Sequence, residues 1–140
     1  MKLLKHANVY TPAPLGKRDV LIEGERILRI AEEITGYDEL PDVDVYDLSG
    51  KTLVPAYIDL HVHITGGGGE QGPASRVPES SLSTFFKNGI TTVVGLLGTD
   101  GITRSLENLV AKARALTEEG MTVYTCLLYT SPSPRDRSVS

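Results

Sequence analysis

The chain has 140 residues and a formal net charge of -4, so it offers no basic surface for nucleic acid and no electrostatic hold on anionic lipid. Its single cysteine, Cys126, excludes an internal disulfide and fits a reducing compartment. No apolar run approaches the ~20 residues of a membrane span. Thr11-Pro12-Ala13-Pro14 interrupts any signal-peptide core behind the basic start, so the chain reads as soluble and cytoplasmic.

The first fifty residues alternate short strands and turns. Asp19-Val20-Leu21-Ile22-Glu23 and Arg26-Ile27-Leu28-Arg29-Ile30 flank a Gly24-Glu25 turn, and residues 43–48 alternate apolar and polar with a period of two. Residues 1–52 therefore predict a small β segment with one buried face.

After Thr52 the pattern changes. Leu53 to Leu60 is mostly apolar and leads into His61-Val62-His63, as expected of a strand buried on both faces. A glycine-rich loop follows, Gly66-Gly67-Gly68-Gly69-Glu70-Gln71-Gly72-Pro73. Pro78 and Glu79 suit the first turn of a helix whose apolar face is Leu82, Phe85 and Phe86, with Gly89 as its stop. Ile90 to Leu97 is a second apolar strand. Leu106, Leu109, Val110, Ala113 and Leu116 mark a second helix, and Met121 opens a third strand. This alternation predicts a parallel sheet with helices outside it, either an open doubly wound sheet or a closed barrel. Residues 127–140 carry prolines, serines and charges where the next loop and helix belong, and their composition is that of a disordered tail.

The chemistry concentrates at the ends of the apolar strands. Residues i and i+2 of a strand share a face, so His61 and His63 project together at the mouth of a parallel α/β strand, where one metal ion can join them. Neutral imidazole suits zinc. Asp59 is expected on the same face, either fixing an imidazole tautomer or as an ordinary strand-end carboxylate. The glycine run lacks the Lys and Ser/Thr of a phosphate loop and carries Glu70 instead. That carboxylate suits a cationic group such as a substrate amine, or is simply solvated on a mobile loop. Thr99, after the second apolar strand, bonds a substrate or orders the turn, and Asp100 could cap the following helix.

These residues resemble a known family. Pro55-Ala56-Tyr57-Ile58-Asp59-Leu60-His61-Val62-His63 is similar to the first-strand signature of the amidohydrolase superfamily, metal hydrolases built on a (β/α)₈ barrel. Within it, His61 to Glu79 and Val93-Val94-Gly95-Leu96-Leu97-Gly98-Thr99-Asp100 resemble the isoaspartyl dipeptidases. The likeness runs from about Val20 through Cys126. Pro55-Ala56-Tyr57 departs from the family's usual Pro-Gly-Phe.

The resemblance implies that residues 53–126 are the first strands and helices of the barrel, with residues 1–52 part of a small β-sandwich. It implies a binuclear zinc site in which His61 and His63 hold one metal. Gly68 and Glu70 would take the free α-amino group of a β-aspartyl dipeptide, with Thr99 as a further substrate contact. The bridging carboxylated lysine, two later histidines and the catalytic aspartate of the family belong past the third barrel strand, so no catalytic residue is assigned here. A barrel typically needs about 250 residues. The 140-residue chain is therefore expected to be an incomplete, inactive portion of an enzyme that is a homo-oligomer when complete. Residues 127–140 resemble translated adapter sequence and are expected to be non-native. The alternatives are another amidohydrolase, such as a cyclic amidase or deacetylase, or a non-catalytic metal- or peptide-binding fragment.

Overall fold

The computed structural model describes residues 1–101 and 103–126. The tail expected over 127–140 lies outside the described residues. The chain divides into two compact units, Met1–Pro55 and Ala56–Ser140.

The first unit is a five-stranded sheet. Strand β1 (Lys2–Tyr10) lies at its centre, antiparallel to β2 (Pro14–Glu23) and parallel to β4 (Asp44–Asp47) and β5 (Thr52–Leu53). Strand β3 (Arg26–Ala31) pairs with β2. Because β5 pairs with β1, the boundary between units falls after Pro55 and not at Thr52. The expected single buried face is two. Leu3 and Leu21 are cross-strand partners under Ile34, while Ala7, Val9 and Val20 pack on the opposite face. Asp19 is fully buried and accepts the backbone N–H of His6 at 2.8 Å and of Ile34 at 3.0 Å. The Ile34 bond fastens the segment after β3 over the sheet, and both bonds satisfy a carboxylate that would otherwise be costly inside.

The second unit is a three-stranded parallel sheet in the order β6 (Tyr57–Val62), β7 (Ile90–Gly95), β8 (Thr122–Thr125). Two helices join the strands: the short α1 (Leu82–Phe86) and the longer α2 (Leu106–Glu118). Parallel strands with crossover helices are the pattern the sequence predicts. In α2, Leu109, Ala113 and Leu116 recur at helical spacing and close over Val93 and Ile64 with Phe85 and Met121. Leu109 and Leu116 are fully buried, each contributing about 1.5–3 kcal/mol of apolar burial. Ser105 caps α2, its hydroxyl accepting from the Asn108 N–H at 3.2 Å. Asp100 does not cap it.

Three other expectations change. α1 begins at Leu82, not Pro78, because the backbone donors before it are used in the loop: Val77 N–H bonds Gly67 O at 2.8 Å and Ser80 N–H bonds Ile64 O at 3.1 Å. β6 is covered on one face only. Ile58 and Leu60 are 62% and 71% exposed, since both helices pack on the other side of the sheet. Of the two aromatics expected on the apolar face of α1, Phe85 is buried while Phe86 is exposed. Among the described residues, no helix is long and apolar enough to cross a membrane.

Candidate metal and substrate site

The parallel pairing of β6 and β7 brings the segments that follow them to one rim. The ladder continues past the strands with Leu96 N–H on Val62 O at 2.9 Å, and a tight turn follows β6, with Gly66 N–H on His63 O at 2.8 Å. His61 and His63 sit at this end. Their ring centroids are 5.3 Å apart and the rings are nearly perpendicular, at 84°. The i, i+2 spacing thus brings the two imidazoles together as expected.

His63 is half-buried, and its Nδ1 lies 3.3 Å from the carbonyl oxygen of Leu96. A carbonyl only accepts, so this contact favours the proton on Nδ1 and leaves the Nε2 lone pair open to a ligand. That is the usual support of a metal-bound histidine. Gly98 packs beside the ring, where a Cβ would make ordinary contact with His63 Nδ1 at 3.4 Å. The donor set fits zinc: two imidazoles, one with its tautomer fixed. They would supply two of the ligands such a site requires. Among the described residues they form no group of three or more His, Cys, Asp and Glu side chains.

Asp59 stands just before a register shift on β6. It pairs with Val93, and Val62 pairs with Gly95, so three positions on β6 oppose two on β7. The extra residue is a bulge, which interrupts the strict alternation of faces there. Asp59 Oδ1 instead accepts the backbone N–H of His61 at 3.1 Å and fixes the bulge that aims the histidines.

The glycine-rich loop is closely folded. Gly68 has φ +71°, and a Cβ there would lie 2.3 Å from Ser75 O, so the fold itself demands glycine. Glu70 stands exposed on the loop, and its Oε1 accepts the Thr99 hydroxyl at 2.8 Å. Glu70 and Thr99 thus meet across the two rim loops. Its own backbone N–H, the Thr99 hydroxyl and the more distant His63 hold the Glu70 carboxyl below the ordinary glutamate value. Both residues line a cavity of about 490 Å³ with Arg76, Asp100 and Thr103.

Sequence reasoning missed two arginines. Arg76 pairs with Asp100 at 3.1 Å. Arg104 is only 7% exposed and donates to Val77 O at 2.7 Å and Gly67 O at 3.1 Å. Asp100 also bonds the N–H and hydroxyl of Thr103. Nothing in the run Thr103-Arg104-Ser105 marks Arg104 as buried. Only the close fold of the distant glycine loop does.

No family model matches the chain. A β-aspartyl dipeptidase from Fervidobacterium islandicum AW-1, solved in complex with the β-Asp-Leu dipeptide, is 47% identical. The match covers 89% of this chain and 32% of that one, with a TM-score of 0.82. The D-hydantoinase (dihydropyrimidinase) of a Thermus species is 25% identical over 79% of this chain and 23% of its own, with a TM-score of 0.57. The dihydroorotase of Staphylococcus aureus is 32% identical over 111 residues, 79% of this chain and 25% of that protein. The chain therefore spans about a third or less of the length of these relatives. The identity to the dipeptidase and the shared parallel β/α order agree with the rim geometry, and the chain belongs to the amidohydrolase superfamily, whose (β/α)₈ barrel its second unit opens.

Proposed function

We propose that this chain carries the first metal ligands and the amine-recognition loop of a zinc-dependent β-aspartyl dipeptidase. The observation that carries the reading is the contact of Glu70 with Thr99 on the rim that bears His61 and His63. A carboxylate held ionised beside a hydroxyl, next to a metal-ligating pair, suits a substrate whose reacting amide lies a few bonds from a free ammonium group. In a β-aspartyl dipeptide the α-amine has that position. The reading also draws on the 47% identity to an enzyme solved with β-Asp-Leu.

In this account His61 and His63 hold zinc through ring nitrogens, His63 with its tautomer set by Leu96 O. Glu70 binds the substrate ammonium and Thr99 orients the carboxylate. Gly68 presents backbone polar groups where no side chain would fit. Bound zinc supplies Lewis acidity at the scissile carbonyl and lowers the pKa of water toward neutrality.

A second reading within the superfamily, a cyclic amidase, has support from the likeness to the dihydroorotase and the D-hydantoinase. A ring amide has no free ammonium for Glu70 to bind. The test is turnover of β-aspartyl-leucine against dihydrouracil by the zinc-loaded full-length protein carrying this segment. Cleavage of the dipeptide alone is the expected result. Cleavage of dihydrouracil alone would overturn the proposal in favour of the second reading.

A further inference from the structure

Among the described residues of the second unit, Arg104 is the buried cation that neither the histidine pair nor the apolar core uses. Its fork spans the glycine-rich loop from end to end: Nη1 lies 3.1 Å from Gly67 O and Nη2 2.7 Å from Val77 O. The same two residues are joined by the Val77 N–H on Gly67 O at 2.8 Å. Gly66 leaves the space the guanidinium fills, since a Cβ there would stand 2.7 Å from Nη2 and 2.3 Å from Val77 O. Asp100, 4.0 Å from Nη1, holds Arg76 of the loop at 3.1 Å. Two arginines and one carboxylate thus fasten the glycine loop to the segment after β7, and Glu70 and Thr99 face each other across that junction.

The rest of the unit does not call for this arrangement. α2 is capped by Ser105, and the cluster beneath it is Leu109, Ala113 and Leu116, without Arg104. Burying a guanidinium is costly unless its donors are spent well, and these are spent on two loop carbonyls.

We propose that Arg104 is a positioning residue that locks the glycine-rich loop so that Glu70 meets Thr99, and thereby sets recognition of the substrate's free amine. This rests on the dipeptidase reading. Lysine cannot replace arginine here, because a single ammonium does not reproduce a planar fork across two carbonyls.

The test uses the zinc-loaded full-length protein carrying this segment, with β-aspartyl-leucine and its desamino analogue N-succinyl-leucine, which Glu70 cannot recognise. Preference of the parent for the amine-bearing substrate checks the dipeptidase reading by itself. Loss of that reading shows as no preference in the parent, and removes the role proposed for Arg104 with it. Given the preference, Arg104→Met and the milder Arg104→Lys should lower kcat/KM for β-aspartyl-leucine by ~10- to 100-fold, the span of one or two charge-assisted hydrogen bonds. The loss should fall mainly on KM. Turnover of N-succinyl-leucine should hold within about twofold, and Arg104→Met should add little in a Glu70→Gln background. Trypsin should cut faster after Arg76 in both variants. Equal losses on the two substrates, losses additive with Glu70→Gln, or failure of both variants to fold would each assign Arg104 to the fold at large and overturn the proposal.

Discussion

Gly66 and Gly67 are adjacent glycines with opposite expectations, and replacing each by alanine tests the packing of the loop. At Gly66, φ is +93°, and a Cβ would meet Val77 O at 2.3 Å, Arg104 Nη2 at 2.7 Å and the carbonyl carbon of Pro78 at 2.9 Å. Forcing an L-residue into that backbone region costs about 1–2 kcal/mol. Displacing two backbone groups and a buried guanidinium adds about 1–3 kcal/mol. Gly66→Ala should therefore destabilise the unit by roughly 2–5 kcal/mol. At Gly67, a Cβ would lie at ordinary contact distance, 3.5 Å from His63 Cδ2. Gly67→Ala should cost less than about 1 kcal/mol, as a substitution at a permissive site. Urea unfolding followed by circular dichroism, with m-values compared, measures both. Equal midpoints for the two variants, both close to the parent, would refute the close packing of Gly66 against Arg104.

Glu70 and Ser105 give two further checks. The Glu70 carboxyl titrates below its ordinary value because its own N–H and the Thr99 hydroxyl stabilise the charged form. Its depressed value keeps the carboxylate ionised as pH falls through the ordinary glutamate range, and the charge is lost only below it. Thr99→Val should raise that midpoint, read from the side-chain carboxyl carbon by NMR, and an unchanged midpoint would remove the hydroxyl from the account. Ser105→Ala should destabilise α2 by about 1 kcal/mol, as loss of an N-cap does, and a urea midpoint equal to the parent's would show that the cap is idle.

The parts of this fold written in local periodicity were legible in the sequence. The apolar runs at Ile90–Gly95 and Leu106–Glu118 form a strand and a helix, and the His-x-His spacing places both imidazoles together. What was not legible depends on contacts distant in sequence. Strand β1 carries Lys2, Lys5, His6 and Asn8 among its apolar residues, and it is a strand because β2, β4 and β5 all pair with it. Asp59 was assigned a face by strict alternation, and the register shift beside it breaks that alternation. Pro78 and Glu79 fit a helix start by residue type, yet the backbone there is held by Gly67 and Ile64. Arg104 is polar in a polar stretch, and its burial follows from the space left by Gly66, thirty-eight positions earlier.

The central claim joins a zinc pair to an amine-reading loop. It is tested most directly by β-aspartyl-leucine turnover and zinc content measured together, for the full-length protein carrying this segment and for its His61→Asn variant. The account predicts zinc-dependent cleavage by the parent, with bound zinc and activity falling together in the variant. Full zinc occupancy and undiminished cleavage in His61→Asn would contradict it.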